Sequence, residues 1–298
     1  MSTGRSIVST CPARAAVAGN PSDGYGGAVV AVPVRDLAAF ASIEPGDHFS
    51  VRATDPDLAR LLRATAAAFT DAVAPVSAGT LSATTTIPRS VGLAGSSALI
   101  IAALRVLAET AGHRYEPVEL AELALSVERD RMGIEAGLQD RLVQAVGDPV
   151  SMRFDPVDYA VLSSPVQLPL FVAWSVAASE SSDTMHRSLR RRFDAGTPHV
   201  LASMRGLAEQ AECAAEAIVH GDLPGLARAI ARTFEIRAML VDVDPATTHL
   251  VKIADDARAA ANSAGSGGSI IGVGRTADHV EQLGLAYRAE GFGFLDLS

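Results

Sequence analysis

Glu128 and Asp140 are two carboxylates within SVERDRMGIEAGLQDRLVQAVGD (126–148). The first stands near the end of one helical stretch. The second stands near the start of the next, and a Gly-containing loop joins them. Carboxylates on adjacent helix ends can converge on one site. One could then hold Mg2+ while the other takes or orients a hydroxyl proton. A blander reading, two solvated surface acids, stays open. In the later helix the apolar stripe is Leu138, Leu142, Ala145 and Val146, and Asp140 lies off it with Gln144.

Three glycine-containing segments accompany this pair. CPARAAVAGNPSDGYGGAVV (11–30) places Arg14, a Gly-Asn-Pro-Ser-Asp-Gly turn and a strand in succession. It reads either as a plain loop or as a polyol site in which Asn20, Asp23 and Tyr25 meet hydroxyl groups. IPRSVGLAGSSALIIAAL (87–104) opens a long apolar helix through Gly92 and Gly95. Ser96 and Ser97 are candidate N-caps. The same helix start offers free N–H groups and a partial positive charge, which suit a phosphate, and a serine that could ligate phosphate-bound Mg2+. Cap and cradle fit these residues alike. NSAGSGGSIIGV (262–273) gathers Gly265, Gly267 and Gly268 between a helix and a strand, the wrong order for a dinucleotide fold. A basic run, HRSLRRRF (186–193), reads as a solvated helix face or as an anion site.

Other chemistries find no support. The histidines share no metal-ligand spacing, and no Gly-x-Ser-x-Gly elbow, P-loop or protein-kinase loop occurs. The two cysteines, Cys11 and Cys213, show no redox or metal pattern and suggest a reducing compartment. A formal charge of −9 without a basic block speaks against nucleic acid and membrane surfaces as partners. The N-terminus lacks the apolar core of a signal peptide, and the longest apolar runs are too short to span a bilayer. A soluble cytoplasmic protein is the expectation.

The elements that must position these residues are mixed. Strands are expected at 26–34 (ended by Pro and Asp), 48–53, GTLSATTTIP, VSMRF, LPLFVAWSV and SIIGVG. Helices are expected at 55–72, 97–111, 117 to about 131, 138–146, 199–220, 223–239, about 247–263, and near the C-terminus before a last strand. Strands and helices are grouped rather than alternating. The class is therefore α+β, with two domains, 1–157 and 158–298.

In this order the segments resemble the GHMP small-molecule kinases, the superfamily of galactokinase, homoserine kinase, mevalonate kinase and phosphomevalonate kinase. PRSVGLAGSSA is similar to the family's Pro-x(3)-Gly-Leu-Gly-Ser-Ser-Ala phosphate loop, with Ala94 before Gly95 as the change. AGSGG is similar to its C-terminal glycine loop. GNPSD, AGLQDR and HRSLRRRF add a likeness to the plant-type glucuronokinases within that family. The likeness covers nearly the whole chain.

The resemblance implies a two-domain fold, with a left-handed βαβ unit in the N-terminal domain, a ferredoxin-like C-terminal domain and an active site between them. It implies ATP- and Mg2+-dependent phosphorylation of the anomeric hydroxyl of a sugar, with glucuronate the favoured substrate. Pro88, Gly92, Leu93, Ala94, Gly95, Ser96, Ser97 and Ala98 would hold the ATP phosphates. Ser97 and Glu128 would bind Mg2+. Asp140 would be the catalytic aspartate, with Arg14 beside it stabilising the transferring charge. Asn20, Asp23, Tyr25, Gln139, Arg141, His186, Arg190, Gly265, Gly267 and Gly268 would contact substrate. The partner is a small-molecule sugar or sugar acid, and the protein a monomer or homodimer. A kinase of another sugar, a heptose phosphate or a cyclitol is the alternative, and a non-catalytic sugar and ATP sensor a third reading. The chain departs from the family pattern at Asn262, where a Lys often precedes the third motif, and in DGYGG, where plant glucuronokinases carry bulkier residues.

Overall fold

The first strand, β1 (Ile7–Ala18), forms where the sequence suggested a loop. Its second half is rich in small residues, and Ala13, Ala15, Ala16 and Ala18 are all fully buried. Alanine has little intrinsic strand preference, so burial in the tertiary structure decides this element. The computed structural model describes residues 6–176 and 183–298, and the side chains of 183–188 lie outside that description.

The chain forms two compact units built from interleaved segments. The first comprises Met1–Ala13, Val34–Ile87 and Ala94–Gly147; the second comprises Arg14–Pro33, Pro88–Leu93 and Asp148–Ser298. β1 and β2 (Ala28–Glu44), which pair with each other, contribute residues to both. β2 runs well past Pro33 and Asp36, where the sequence reading ended it. Pro33 falls outside both the Ala28–Ala31 and the Ala39–Glu44 registers, so its missing N–H removes no bond from those two ladders.

In the first unit, β3 (Phe49–Arg52) and β4 (Gly79–Thr85) pair in parallel, with α1 (Pro56–Ala72) as the crossover, and β4 pairs antiparallel with the C-terminal part of β2. Asp55 caps α1 by accepting from Leu58 N–H, as its place before the apolar stripe predicts. α2 (Gly95–Thr110) packs against α1 and β4 with Ile100, Ile101, Leu104 and Leu107 fully buried. α3 (Pro117–Ser126) leads into a π-turn at Val127–Arg131, and α4 (Leu138–Val146) packs back on α3.

The second unit holds β5 (Val150–Phe154), which pairs with the start of β2, and β6 (Val157–Val161), a strand the sequence reading missed. Then follow β7 (Leu170–Trp174), α5 (Asp183–Asp194), α6 (Pro198–His220), α7 (Leu223–Leu240), α8 (Pro245–Asp256), β8 (Ala260–Ser263), β9 (Ser269–Val273), α9 (Ala277–Ala289) and β10 (Gly293–Asp296). The order β10-β7-β9-β8, antiparallel throughout, is the strand order of a ferredoxin-like sheet, here with several helices in its first crossover. Phe171, Ile270, Leu250, Val280 and Tyr287 form the core between this sheet, α8 and α9.

β8 corrects a helix expected to run to Ser263. The alanine-rich stretch favours helix locally, but α8 stops at Asp256, Arg258 turns at φ +61°, and Ala260–Ser263 pairs with β9. Among the described residues no helix is long and apolar enough to cross a membrane.

Candidate active site

In the first unit the chemistry gathers at the start of α2. Ala94 occupies the N-cap position in a left-handed conformation, φ +61°, and no side chain caps the helix. Ser96 and Ser97 are therefore not N-caps, a correction to the sequence reading; both lie inside the first turn. Their hydroxyls point to different partners. Ser96 donates to Glu128 Oε1 at 2.6 Å, whereas Ser97, fully buried, donates to Gln144 Oε1 at 2.6 Å. Ser97, expected beside Glu128, is thus taken up by Gln144. An uncapped helix start leaves N–H groups open to an anionic ligand.

Glu128 sits in the π-turn, a local widening of the helix that often marks functional positions. It is fully buried. Its Oε2 accepts from Arg141 Nε at 2.6 Å and from Arg141 Nη2. Arg141 also donates through Nη1 to Gly137 O at 2.7 Å and to Asp140 Oδ2 at 3.4 Å. It is therefore committed inside the protein, to Glu128 above all. Asp140 lies in the first turn of α4, where the helix dipole favours a negative charge. Gln139 Nε2 donates to Asp140 Oδ1 at 3.1 Å, so the carboxylate is held from both flanks, and Gln139 Oε1 is buried without a partner among the described residues. Glu128, Asp140 and Arg141 carry one net negative charge between them.

In the second unit two glycine loops meet at a buried arginine. Arg14 donates through Nη1 to Gly92 O at 2.9 Å and to Ala264 O at 2.6 Å. Main-chain bonds run alongside, from Arg14 N to Leu93 O and from Ala16 N to Ala264 O. The approach needs glycine. A Cβ on Gly265 would stand 2.2 Å from Gly92 O, and one on Gly92, at φ +74°, would stand 2.6 Å from Gly267 O. Gly268 N donates to Thr247 Oγ1 at 2.9 Å, and Thr247 is itself held by the α8 cap Asp244. Asn262, at the position where a Lys was expected, is fully buried, and its amide finds no partner among the described residues.

The turn after β1 holds Asn20, buried, and Asp23 and Tyr25, partly exposed, in a 3-10 turn at Ser22–Tyr25. Arg190 of α5 lies 4.4 Å above the Tyr25 ring and donates to Gly24 O. Phe193 packs on the same ring at 4.6 Å. Burial pushes the Tyr25 phenol up, and Arg190 works against that shift. Arg192 is tied to Leu240 O at 3.1 Å and to His199 at 2.7 Å. The basic run is therefore a packed helix that sends Arg190 to the turn; the His186 side chain lies outside the described residues.

One residue of this unit escaped the sequence reading. Arg237 of α7 is 4% exposed and donates through Nη2 to Gly265 O at 2.9 Å. A signal existed: Arg237 falls on the buried stripe of its helix, four residues after Thr233 and beside Ile236. A charged residue on an apolar stripe needs a partner.

Residues 58–148 match the family described as GHMP kinases N terminal domain. "Probable glucuronokinase 2" of Arabidopsis thaliana is 31% identical over 301 aligned residues, which cover 87% of this chain and 82% of that protein. The chain belongs to the GHMP kinase family. "Glucuronokinase 1" of the same plant is 27% identical to this GHMP kinase, with the same coverage. The fold agrees: Lactococcus lactis galactokinase, solved in complex with galactose, superposes with a TM-score of 0.83 at 16% identity, covering 99% of this chain and 93% of that one.

The donor set of this GHMP kinase suits a hard divalent cation of the kind kinases use with ATP. Among the described residues no three His, Cys, Asp or Glu side chains gather. Mg2+ seldom needs such a cage, since it is held by one or two carboxylates with phosphate oxygens and water. The Glu128 carboxylate with the adjoining Ser96 hydroxyl, at an uncapped helix start, fits that mode.

Proposed function

We propose that this kinase transfers the γ-phosphoryl group of ATP to the anomeric hydroxyl of a sugar acid, glucuronate in first place. The Ser96–Glu128 pair at the uncapped start of α2 carries the kinase reading, since it joins a phosphate cradle to a metal ligand. The likeness to the plant glucuronokinases over most of both chains supports the substrate.

In the proposed mechanism the open N–H groups of Gly95–Ser97, with Ala98 in the same turn, and the loop 88–93 take the ATP phosphates. Glu128 and the serine beside it, Ser96 in preference to Ser97, hold Mg2+, which when bound neutralises phosphate charge. Asn20, Asp23 and Tyr25 take sugar hydroxyls. Asp140 orients the attacking hydroxyl and receives its proton as the new O–P bond forms and the bond to ADP breaks. Arg14 supplies positive charge to the transferring group and, through its two carbonyl bonds, keeps loops 88–93 and 264–268 together. Gly265, Gly267 and Gly268 line the substrate side.

The test is ADP release from purified protein with ATP and Mg2+ over a panel of glucuronate, neutral sugars, heptose phosphates and cyclitols, with the product's phosphorylated position read by NMR. Glucuronate 1-phosphate is expected. Turnover of a neutral sugar or cyclitol with none of glucuronate would overturn the substrate.

A further inference from the structure

Four arginines of the second unit are candidates for meeting an anion near the turn at 19–26 and the glycine loops: Arg14, Arg190, Arg192 and Arg237. Arg190 spends its guanidinium on Gly24 O and the Tyr25 face. Arg192 is bound to Leu240 O and His199. Arg14 Nη1 serves two carbonyls. Arg237 differs. Its Nη2 is fixed on Gly265 O, which sets the plane of the guanidinium, but its Nη1 is buried and has no acceptor among the described residues.

A buried cation with an unused N–H is costly unless an anion completes it. Cut off from bulk water, Nη1 can meet an acceptor only in a ligand or in water enclosed with it. The surroundings agree on the sign and the place. Burial, and then the nearby charge of Arg14, bring the Arg237 pKa down to about 10, so it remains a cation at neutral pH; Asp244 and Asp23 pull the other way. Asp23 is a residue of the turn assigned above to the sugar. Arg237 therefore lies within electrostatic reach of the sugar turn while hydrogen-bonded to the glycine loop.

We propose that Arg237 is the residue that reads the carboxylate of the sugar acid, through Nη1, while Nη2 holds the glycine loop at Gly265. This rests on the functional reading above and deepens it. It moves the anion-recognising role from the basic run at 186–193 to a buried guanidinium whose planar fork suits a carboxylate. The γ-phosphate of ATP offers the same oxyanion chemistry, so the test separates the two.

Binding of glucuronate and of a non-hydrolysable ATP analogue is measured by calorimetry for wild type, Arg237→Gln and Arg237→Lys. The Gln variant is expected to lose roughly ten-fold or more in glucuronate affinity beyond any loss for the nucleotide. The Lys variant, which keeps the charge without the fork, should recover part of it. Equal losses for both ligands, a loss confined to the nucleotide, or no loss would overturn the proposal. If Arg237→Gln fails to fold, the Lys variant decides by thermal melting: glucuronate should raise its Tm less than that of wild type, and an equal rise overturns the proposal. Glucuronate binding to wild type without ADP release defeats the kinase assignment for that sugar and leaves the Arg237 assignment to the binding data. Absence of glucuronate binding to wild type overturns both.

Discussion

Ser97 and Gln144 join the start of α2 to α4 through a 2.6 Å hydrogen bond from the serine hydroxyl to Oε1. The same glutamine donates through Nε2 to Ala94 O and Pro12 O, both at 3.0 Å. One buried amide thus secures the carbonyl of Ala94, whose left-handed backbone costs about 1–2 kcal/mol. Replacing Gln144 by Leu removes its bonds to the Ser97 hydroxyl and to the Pro12 and Ala94 carbonyls, leaving Ser97 its 3.1 Å bond to Ala94 O and Ala94 O its bond from Ala98 N. A loss of about 2–4 kcal/mol in urea unfolding is expected, with a raised KM for ATP. Unchanged stability would show that the amide is dispensable.

The two serines should separate. Ser96→Ala removes the Glu128 contact and is expected to raise the Mg2+ concentration for half-maximal activity with little change in Tm. Ser97→Ala should act on Tm and leave the Mg2+ dependence close to wild type. A Mg2+ effect from Ser97→Ala alone would reverse the proposed assignment.

Glu128→Gln takes the main counter-charge from the buried Arg141 guanidinium and leaves it the 3.4 Å contact with Asp140. Breaking a buried pair of this kind typically costs about 3–5 kcal/mol. Circular dichroism melting checks this before any kinetic reading of the variant. Asp140→Asn, with a carboxylate only partly buried, should instead fold and bind nucleotide while turnover falls by roughly 10²–10⁴-fold. Turnover near wild type in that variant would remove Asp140 from the mechanism.

Gly265→Ala tests the approach of the two glycine loops. Gly265 needs no left-handed backbone, so the expected damage is purely steric: the new Cβ meets Gly92 O and the Arg14 guanidinium. A fall in both Tm and nucleotide affinity is expected. A variant with neither would show that the loops can part without consequence.

Alkaline stability should depend on Tyr287. Its phenol is fully buried and donates to Leu250 O at 2.7 Å, and burial pushes its pKa well above the usual phenol value. A folded-state pKa above the unfolded one means that this contribution is complete below about pH 10 and is lost as pH rises further. Tyrosinate absorbance at 295 nm from this ring should appear only with unfolding. Tyr287→Phe should flatten the fall in stability with pH above about 10.

The sequence by itself determined the elements whose signals are local. The Asp55 cap with its apolar stripe placed α1, and α4 runs over the expected Leu138–Val146 and stops at Gly147. The order of the glycine segments, with Glu128 and Asp140 between the second and third, was enough for the family. Only the tertiary structure decided the rest. β1 and β8 are alanine-rich stretches that become strands because neighbouring strands satisfy their backbone groups. Which serine meets Glu128 depends on the phase at which α2 begins, and a left-handed Ala94 sets that phase. Arg141, read as a substrate contact, and Arg237, which the sequence reading passed over, find their partners only through packing, because burial forces each cation to be met.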